Sequence, residues 1–172
     1  MPLVSQWLVY KTVGVTPAAV PDSDLEQSVC FALYSSMQAT LQLYRDLLAP
    51  WGLTFQQVLL LVVLWEHDDV TPGELAAALH LDSSSVSGLL SRMEKADLVR
   101  RTHSVTDRRA VRVSATDKAM HIKAELEPVG RCVADAIELE RSEAEALIGA
   151  LHALRSRVST FDTSAALAAA TP

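Results

Sequence analysis

The chain has 172 residues, 49% of them hydrophobic and 21% charged, with a net charge of −6. That length suits one domain, or one domain extended by helices, and the composition excludes a disordered or collagen-like chain. Two cysteines 102 positions apart do not make a secreted disulfide scaffold. The longest apolar run, Val58 to Trp65, falls far short of the roughly 20 residues of a membrane span. No basic residue precedes the apolar Leu3, Val4, Trp7, Leu8 and Val9, so a secretory signal is not expected. The expected compartment is cytoplasmic and reducing. The acidic total argues against nucleic acid unless the charge is unevenly spread.

Residues 1–21 carry Pro2, Gly14, Pro17 and Pro21 and show no sustained period, so they read as an irregular arm. Asp22 or Asp24 is a cap for a helix reaching Ala49, stopped by Pro50 and Gly52. Its apolar stripe is Leu25, Val29, Leu33, Met37, Leu41, Tyr44 and Leu48, in steps of four and three. A rod of roughly 40 Å is long for so small a domain and points to a partner chain.

Thr54 with Gln57 forms a capping box that opens a helix through the apolar run to Glu66. Thr71, Pro72 and Glu74 are cap, first-turn proline and capping-box acid of a short helix through Leu79. A tight turn at Leu81 and Asp82 leads into a helix from Ser83 to Ala96, which completes a helix-turn-helix pattern. The period then changes from helical to alternating. Residues 98–102 and 110–114 read as strands, with a polar hairpin tip at 104–109. Thr116 starts a further helix that Pro128 should kink near Ala124. Ser142 with Glu145 is a third capping box, opening a last helix to Val158. The Ala-rich end is expected to fray.

The expected fold is mainly α with a small β wing: a winged helix-turn-helix domain flanked by N- and C-terminal dimerisation helices. The expected divisions are an arm at 1–21, dimerisation helices at 22–53 and 116–160, a DNA-binding domain at 54–115 and a tail at 161–172.

The charge is unevenly spread. Between Arg92 and Arg112 stand Arg92, Lys95, Arg100, Arg101, Arg108, Arg109 and Arg112 against Glu94, Asp97 and Asp107. That segment carries +4 and leaves −10 on the rest. A basic patch on the second helix of the motif and the following hairpin is a footprint for DNA phosphate. Ser83, Ser84, Ser85 and Ser87 put short hydroxyl side chains on the first turns of that helix. They suit either base-edge contacts or capping and turn chemistry. Arg92 lies further along the same helix. Asp107, Arg108 and Arg109 at the hairpin tip can present an arginine to a narrow minor groove. Gly88 stands mid-helix at a cost of about 1 kcal/mol relative to alanine.

Cys30 admits two readings: an ordinary residue of a dimer-core stripe, or a reactive thiol. Reactivity needs a stabilised thiolate. The helix dipole fades beyond the first turn, and no Lys or Arg is close in sequence, so hydrogen bonds from tyrosine hydroxyls are the remaining lever. Tyr34 is at i+4 on the same face. Tyr44 lies about 21 Å up the axis and reaches a thiol only across a dimer. Cys132 is either a small buried hydrophobe or a second thiol. His67, His80, His103, His121 and His152 are scattered without metal-ligand spacing, so neither metal nor cofactor is expected.

The helix-turn-helix from Thr71 to Asp97, with Leu81-Asp82-Ser83-Ser84-Ser85 and Arg92-Met93-Glu94-Lys95, and the Asp107-Arg108-Arg109 wing resemble the MarR family of winged-helix repressors. The resemblance covers residues 22–160. It implies a homodimer, joined through the first and last two helices, on double-stranded palindromic operator DNA, and no enzyme activity. Cys30-Phe31-Ala32-Leu33-Tyr34-Ser35-Ser36, Tyr44 and Trp65-Glu66-His67 look like the organic-hydroperoxide-sensing (OhrR-like) subgroup. That resemblance implies Cys30 as the peroxide-reacting residue, Tyr34 and Tyr44 as partners of its thiolate, and Cys132 as a resolving cysteine. Organic hydroperoxide would be the oxidant. Two other readings are a MarR-type regulator of a small aromatic ligand and a thiol peroxidase.

Overall fold

The computed structural model describes residues 25–103 and 111–164. The arm at 1–21, the caps expected at Asp22 and Asp24, and the tip residues Asp107, Arg108 and Arg109 lie outside the described residues. So does most of the Ala-rich tail. The chain divides into two compact units, Met1–Gly130 and Arg131–Pro172.

The first helix, α1, is Val29–Leu48. It starts later than the sequence pattern suggests, because Ser28 is extended (ψ 128°) and its Oγ accepts from the Phe31 amide at 3.5 Å. A 3-10 turn, Ala49–Trp51, follows it, and Gly52 ends the turn at φ +62°, where a side chain would be strained. Helix α2 is Phe55–Glu66. Both arms of its capping box form: the Thr54 amide donates to Gln57 Oε1 at 2.8 Å, and the Gln57 amide to Thr54 Oγ1 at 3.3 Å.

Helix α3, Pro72–Leu79, has the same reciprocal cap between Thr71 and Glu74. His80 turns left-handed (φ +53°) to close it, and Asp82 opens α4, Ser83–Lys95. Val86, Leu89, Leu90 and Met93 form the buried stripe of α4. They pack in a core with Leu60, Leu61 and Leu64 of α2 and Leu75 of α3. The uninterrupted apolar run of α2 is thus explained by burial: its inner residues have no exposure at all.

Strands β1 (Val99–His103) and β2 (Val111–Ala115) pair antiparallel, from Val99 opposite Ala115 to His103 opposite Val111. A third rung is not legible as a strand. Val70, between α2 and α3, exchanges both backbone hydrogen bonds with Val113, at 3.1 and 2.8 Å. Val113 is fully buried.

Thr116 caps α5, Asp117–Glu125. The kink expected near Ala124 is instead a break at Leu126, followed by α6, Glu127–Ile137. Pro128 falls in the first turn of α6, where its missing N–H costs nothing. In the second unit, α7 is Arg141–Ser159. The expected cap at Ser142 is displaced by two residues: the Glu140 amide donates to Glu143 Oε2 at 3.0 Å, while Glu145 pairs with Arg141 at 4.0 Å. Val29, Leu33 and Met37 on α1 are exposed apolar residues, as are Leu147, Ile148, Leu151 and Val158 on α7. Among the described residues no single helix is long and apolar enough to cross a membrane.

Candidate nucleic-acid interface

Asp82 organises the entry to α4. Its carboxylate accepts from the Ser85 amide at 2.8 Å and from the hydroxyls of Ser84 and Ser85, the latter at 2.7 Å. These hydrogen bonds, that from the Ser84 hydroxyl first, hold the Asp82 carboxyl far below the usual carboxylate range. Ser84 and Ser85 therefore spend their protons on the cap and keep acceptor lone pairs for a partner. Ser83 and Ser87 are exposed, and their hydroxyls make no hydrogen bond among the described residues.

Gln56 of α2 and Ser84, Ser85, Gly88 and Arg92 of α4 line an open groove of about 280 Å³, with Leu81 and Leu89 behind them. A Cβ on Gly88 would meet only Arg92 Nη1, at 3.6 Å. Packing within the chain does not demand the glycine. Gln56 carried no signal in the sequence, because its place beside α4 is set by tertiary packing.

The basic residues of this face separate into two kinds. Arg101 on β1 is committed to the fold: its Nη2 donates to Ser91 Oγ at 3.1 Å and to the Ser87 carbonyl at 3.4 Å, and its Nε lies 3.5 Å from Glu94. Arg112 on β2 donates to the Asp69 carbonyl at 2.8 Å and stands 3.9 Å from both the Asp69 and Glu74 carboxylates. Both were counted in the basic run, yet both brace the wing. Arg92, Lys95 and Arg100 are exposed, and no ion pair engages them among the described residues. Lys118 of α5 caps the far end of α4 through the Ala96 carbonyl at 2.8 Å.

Cys30 is exposed on α1, one turn from Tyr34. Tyr34 is 60% exposed, and its hydroxyl accepts from Gln38 Nε2 at 3.3 Å. Tyr44 is half-buried and stacks on Phe55, with ring centroids 4.3 Å apart. Fourteen residues of helix separate it from Cys30, so the two do not meet within one chain. Cys132 is exposed on α6, in the other unit. Among the described residues no cluster of His, Cys, Asp or Glu is placed to hold a metal.

The sequence profile of the MarR family matches residues 53–111, which run from just before α2 to the first residue of β2. The transcriptional regulator TtmR of Methylorubrum extorquens is 34% identical over 131 residues, which span 76% of this chain and 67% of TtmR. MgrA of Staphylococcus aureus, another helix-turn-helix regulator, is 34% identical over 125 residues, 72% of this chain and 85% of its own. The chain belongs to the MarR family.

It is a DNA-binding transcriptional regulator, not an enzyme. Among solved structures, reduced AbfR bound to DNA superposes with a TM-score of 0.65 at 25% identity, covering 76% of this chain and 91% of AbfR. A second MarR-type fold, the repressor CouR on a 23-mer duplex, matches at 22% identity with a TM-score of 0.71, over 80% of this chain and 99% of CouR. This MarR-family chain thus has the winged-helix architecture of regulators solved bound to DNA.

Proposed function

We propose that this MarR-family regulator is a homodimeric repressor that releases a palindromic operator when Cys30 is oxidised by an organic hydroperoxide. The observation that carries this reading is the place of the Cys30 thiol. It is exposed on α1 beside the exposed apolar residues Val29, Leu33 and Met37, with Tyr34 one turn along the helix. An alkyl hydroperoxide matches that surroundings, with an apolar tail and a polar O–O head. AbfR, of similar fold, has been solved on DNA both reduced and overoxidised, which supports a redox input for this fold.

The Cys30 thiolate attacks the terminal peroxide oxygen. The O–O bond breaks, an alcohol leaves after taking a proton, and a sulfenic acid remains. The thiol of Cys132 in the other subunit then condenses with it, losing water and forming a disulfide. A disulfide holds its Cα atoms within about 7 Å, so forming one draws helices together and moves the two α4 helices off consecutive major grooves. Ser83, Ser84, Ser85, Ser87 and Arg92 contact the major groove in this reading, and the wing presents Arg108 or Arg109, oriented by Asp107, to the flanking minor groove.

The test is operator release, read by gel shift, on titration with cumene hydroperoxide and then dithiothreitol. Wild type should release and rebind. Cys30→Ser should bind and ignore the oxidant; release by that variant overturns the reading. Cys132→Ser should no longer give a covalent dimer on a non-reducing gel, and a persistent dimer band removes Cys132 from the scheme.

A second reading, a regulator of a small aromatic ligand, has one observation in its favour. The indole N–H of Trp65 is buried without an acceptor among the described residues, and Lys123 Nζ stands 5.9 Å above its ring. An anionic aromatic compound would satisfy both. Salicylate releasing DNA from Cys30→Ser would favour this reading over the first.

A further inference from the structure

We infer that Gly88 and Arg92 form one base-reading unit: the bare Cα of Gly88 lets a base pair seat against α4, where the Arg92 guanidinium reads a guanine. The inference rests on α4 being the DNA-reading helix and goes beyond it by assigning a specificity role to a glycine.

Glycine is poorer than alanine in a helix interior, so a mid-helix glycine has a compensating reason. Three internal reasons are absent here. Its backbone is not left-handed, since Gly52 is the glycine with positive φ among the described residues. Its neighbours do not crowd it: a Cβ would stand in ordinary contact with a single atom, Arg92 Nη1 at 3.6 Å. Its face is not packed against the core either, because Gly88 opens onto the groove shared with Ser84, Ser85, Arg92 and Gln56. The remaining reason is an approach from outside, of the kind that favours glycine where a ligand meets backbone.

Arg92 completes the unit. It is one helical turn beyond Gly88, on the same face, and its guanidinium lies back over the glycine. No acid holds it there among the described residues: Glu94 is paired with Arg101. A guanidinium with free donors matches the O6 and N7 acceptors of guanine in two parallel hydrogen bonds. Adding a methyl group at position 88 would leave the guanidinium in ordinary contact but would lift the duplex from α4 and from the donors of Arg92. The loss should therefore fall on one base position in each half-site.

The experiment is selection from a random duplex library by full-length wild type, Gly88→Ala, Gly88→Ser and Arg92→Lys, each checked by thermal melting. Wild type should enrich a guanine at one position repeated symmetrically in its site. Arg92→Lys should relax that position roughly tenfold while the others persist. Both Gly88 variants should fold and should relax the same position. A wild-type preference retained by Gly88→Ala and Gly88→Ser overturns the inference. Uniform weakening at every position also overturns it, because the groove would then hold sugar-phosphate backbone. Were wild type to enrich no sequence at all, the reading role of α4 would fall and this inference with it.

Discussion

Arg112 on β2 donates from Nη1 to the backbone carbonyl of Asp69, 2.8 Å away and 43 residues earlier in the chain. That carbonyl sits in the turn between α2 and α3, where Asp69 is left-handed at φ +60°. The same guanidinium faces the Glu74 carboxylate of α3 at 3.9 Å. One side chain thus ties the wing to the entry of the helix-turn-helix. Replacing Arg112 with alanine should cost about 1 kcal/mol for the hydrogen bond, read in urea unfolding. Amide exchange at Val70 and Val113 should accelerate with it. Unchanged exchange at both valines would show that the backbone bridge stands without the clamp.

The cap at Asp82 makes a pH prediction. Its carboxyl is lowered by hydrogen bonds to the charged form. A depressed carboxylate contributes stability that is complete above the ordinary aspartate value of about 3.9 and is lost as pH falls through the lowered folded-state value. Asp82→Asn keeps an acceptor and loses the charge. At neutral pH its melting temperature should lie a few degrees below that of wild type, and the gap should close as the pH is stepped into strong acid. A gap that stays constant down to acid pH would place the stabilisation elsewhere.

Within α2, Leu64 has no exposure and Leu59 is 38% exposed. Leu64→Ala should destabilise by about 2–5 kcal/mol, because a cavity is left in the core. Leu59→Ala should cost less than about 1 kcal/mol. Chemical denaturation of the pair checks the assignment of the inner face, and equal losses would contradict it.

Arg109 belongs to the hairpin tip, outside the described residues, and its expected role comes from the sequence. Arg109→Ala should weaken operator binding across sequences and reduce the salt slope of log K by about one. Fluorescence anisotropy over a salt series measures both. A slope equal to that of wild type would take this arginine off the phosphate.

What could be read from the sequence was what local chemistry decides. The boxes at Thr54–Gln57 and Thr71–Glu74 depend on residues three apart, and both form. The stripe Val86, Leu89, Leu90, Met93 is a matter of helical spacing, and it is buried. Some misses arise from alternatives close in local energy. Ser28 and Asp24 are both good caps, and local preference does not rank them; at α7 local preference favours Ser142, yet Glu140 is the cap. Pro128 permits a kink or a restart, and only the position of Leu126 in the fold chooses the restart. In the candidate site, a run of arginines looks uniform in one dimension. The fold turns Arg101 and Arg112 inward to carbonyls and acids and leaves Arg92, Lys95 and Arg100 to solvent. Tyr44 stacking on Phe55 was likewise invisible, since its partner is on another helix.

The two hydrogen bonds between Val70 and Val113 give the wing the mechanics of a cantilever. Strand side chains alternate, so a slip of one residue would turn Val113 out of the core and drive Arg112 into it. The two strands are clamped at their root by the interior of the domain, which fixes their direction there. A wing built this way can exchange residues between its strands while the root keeps the same aim.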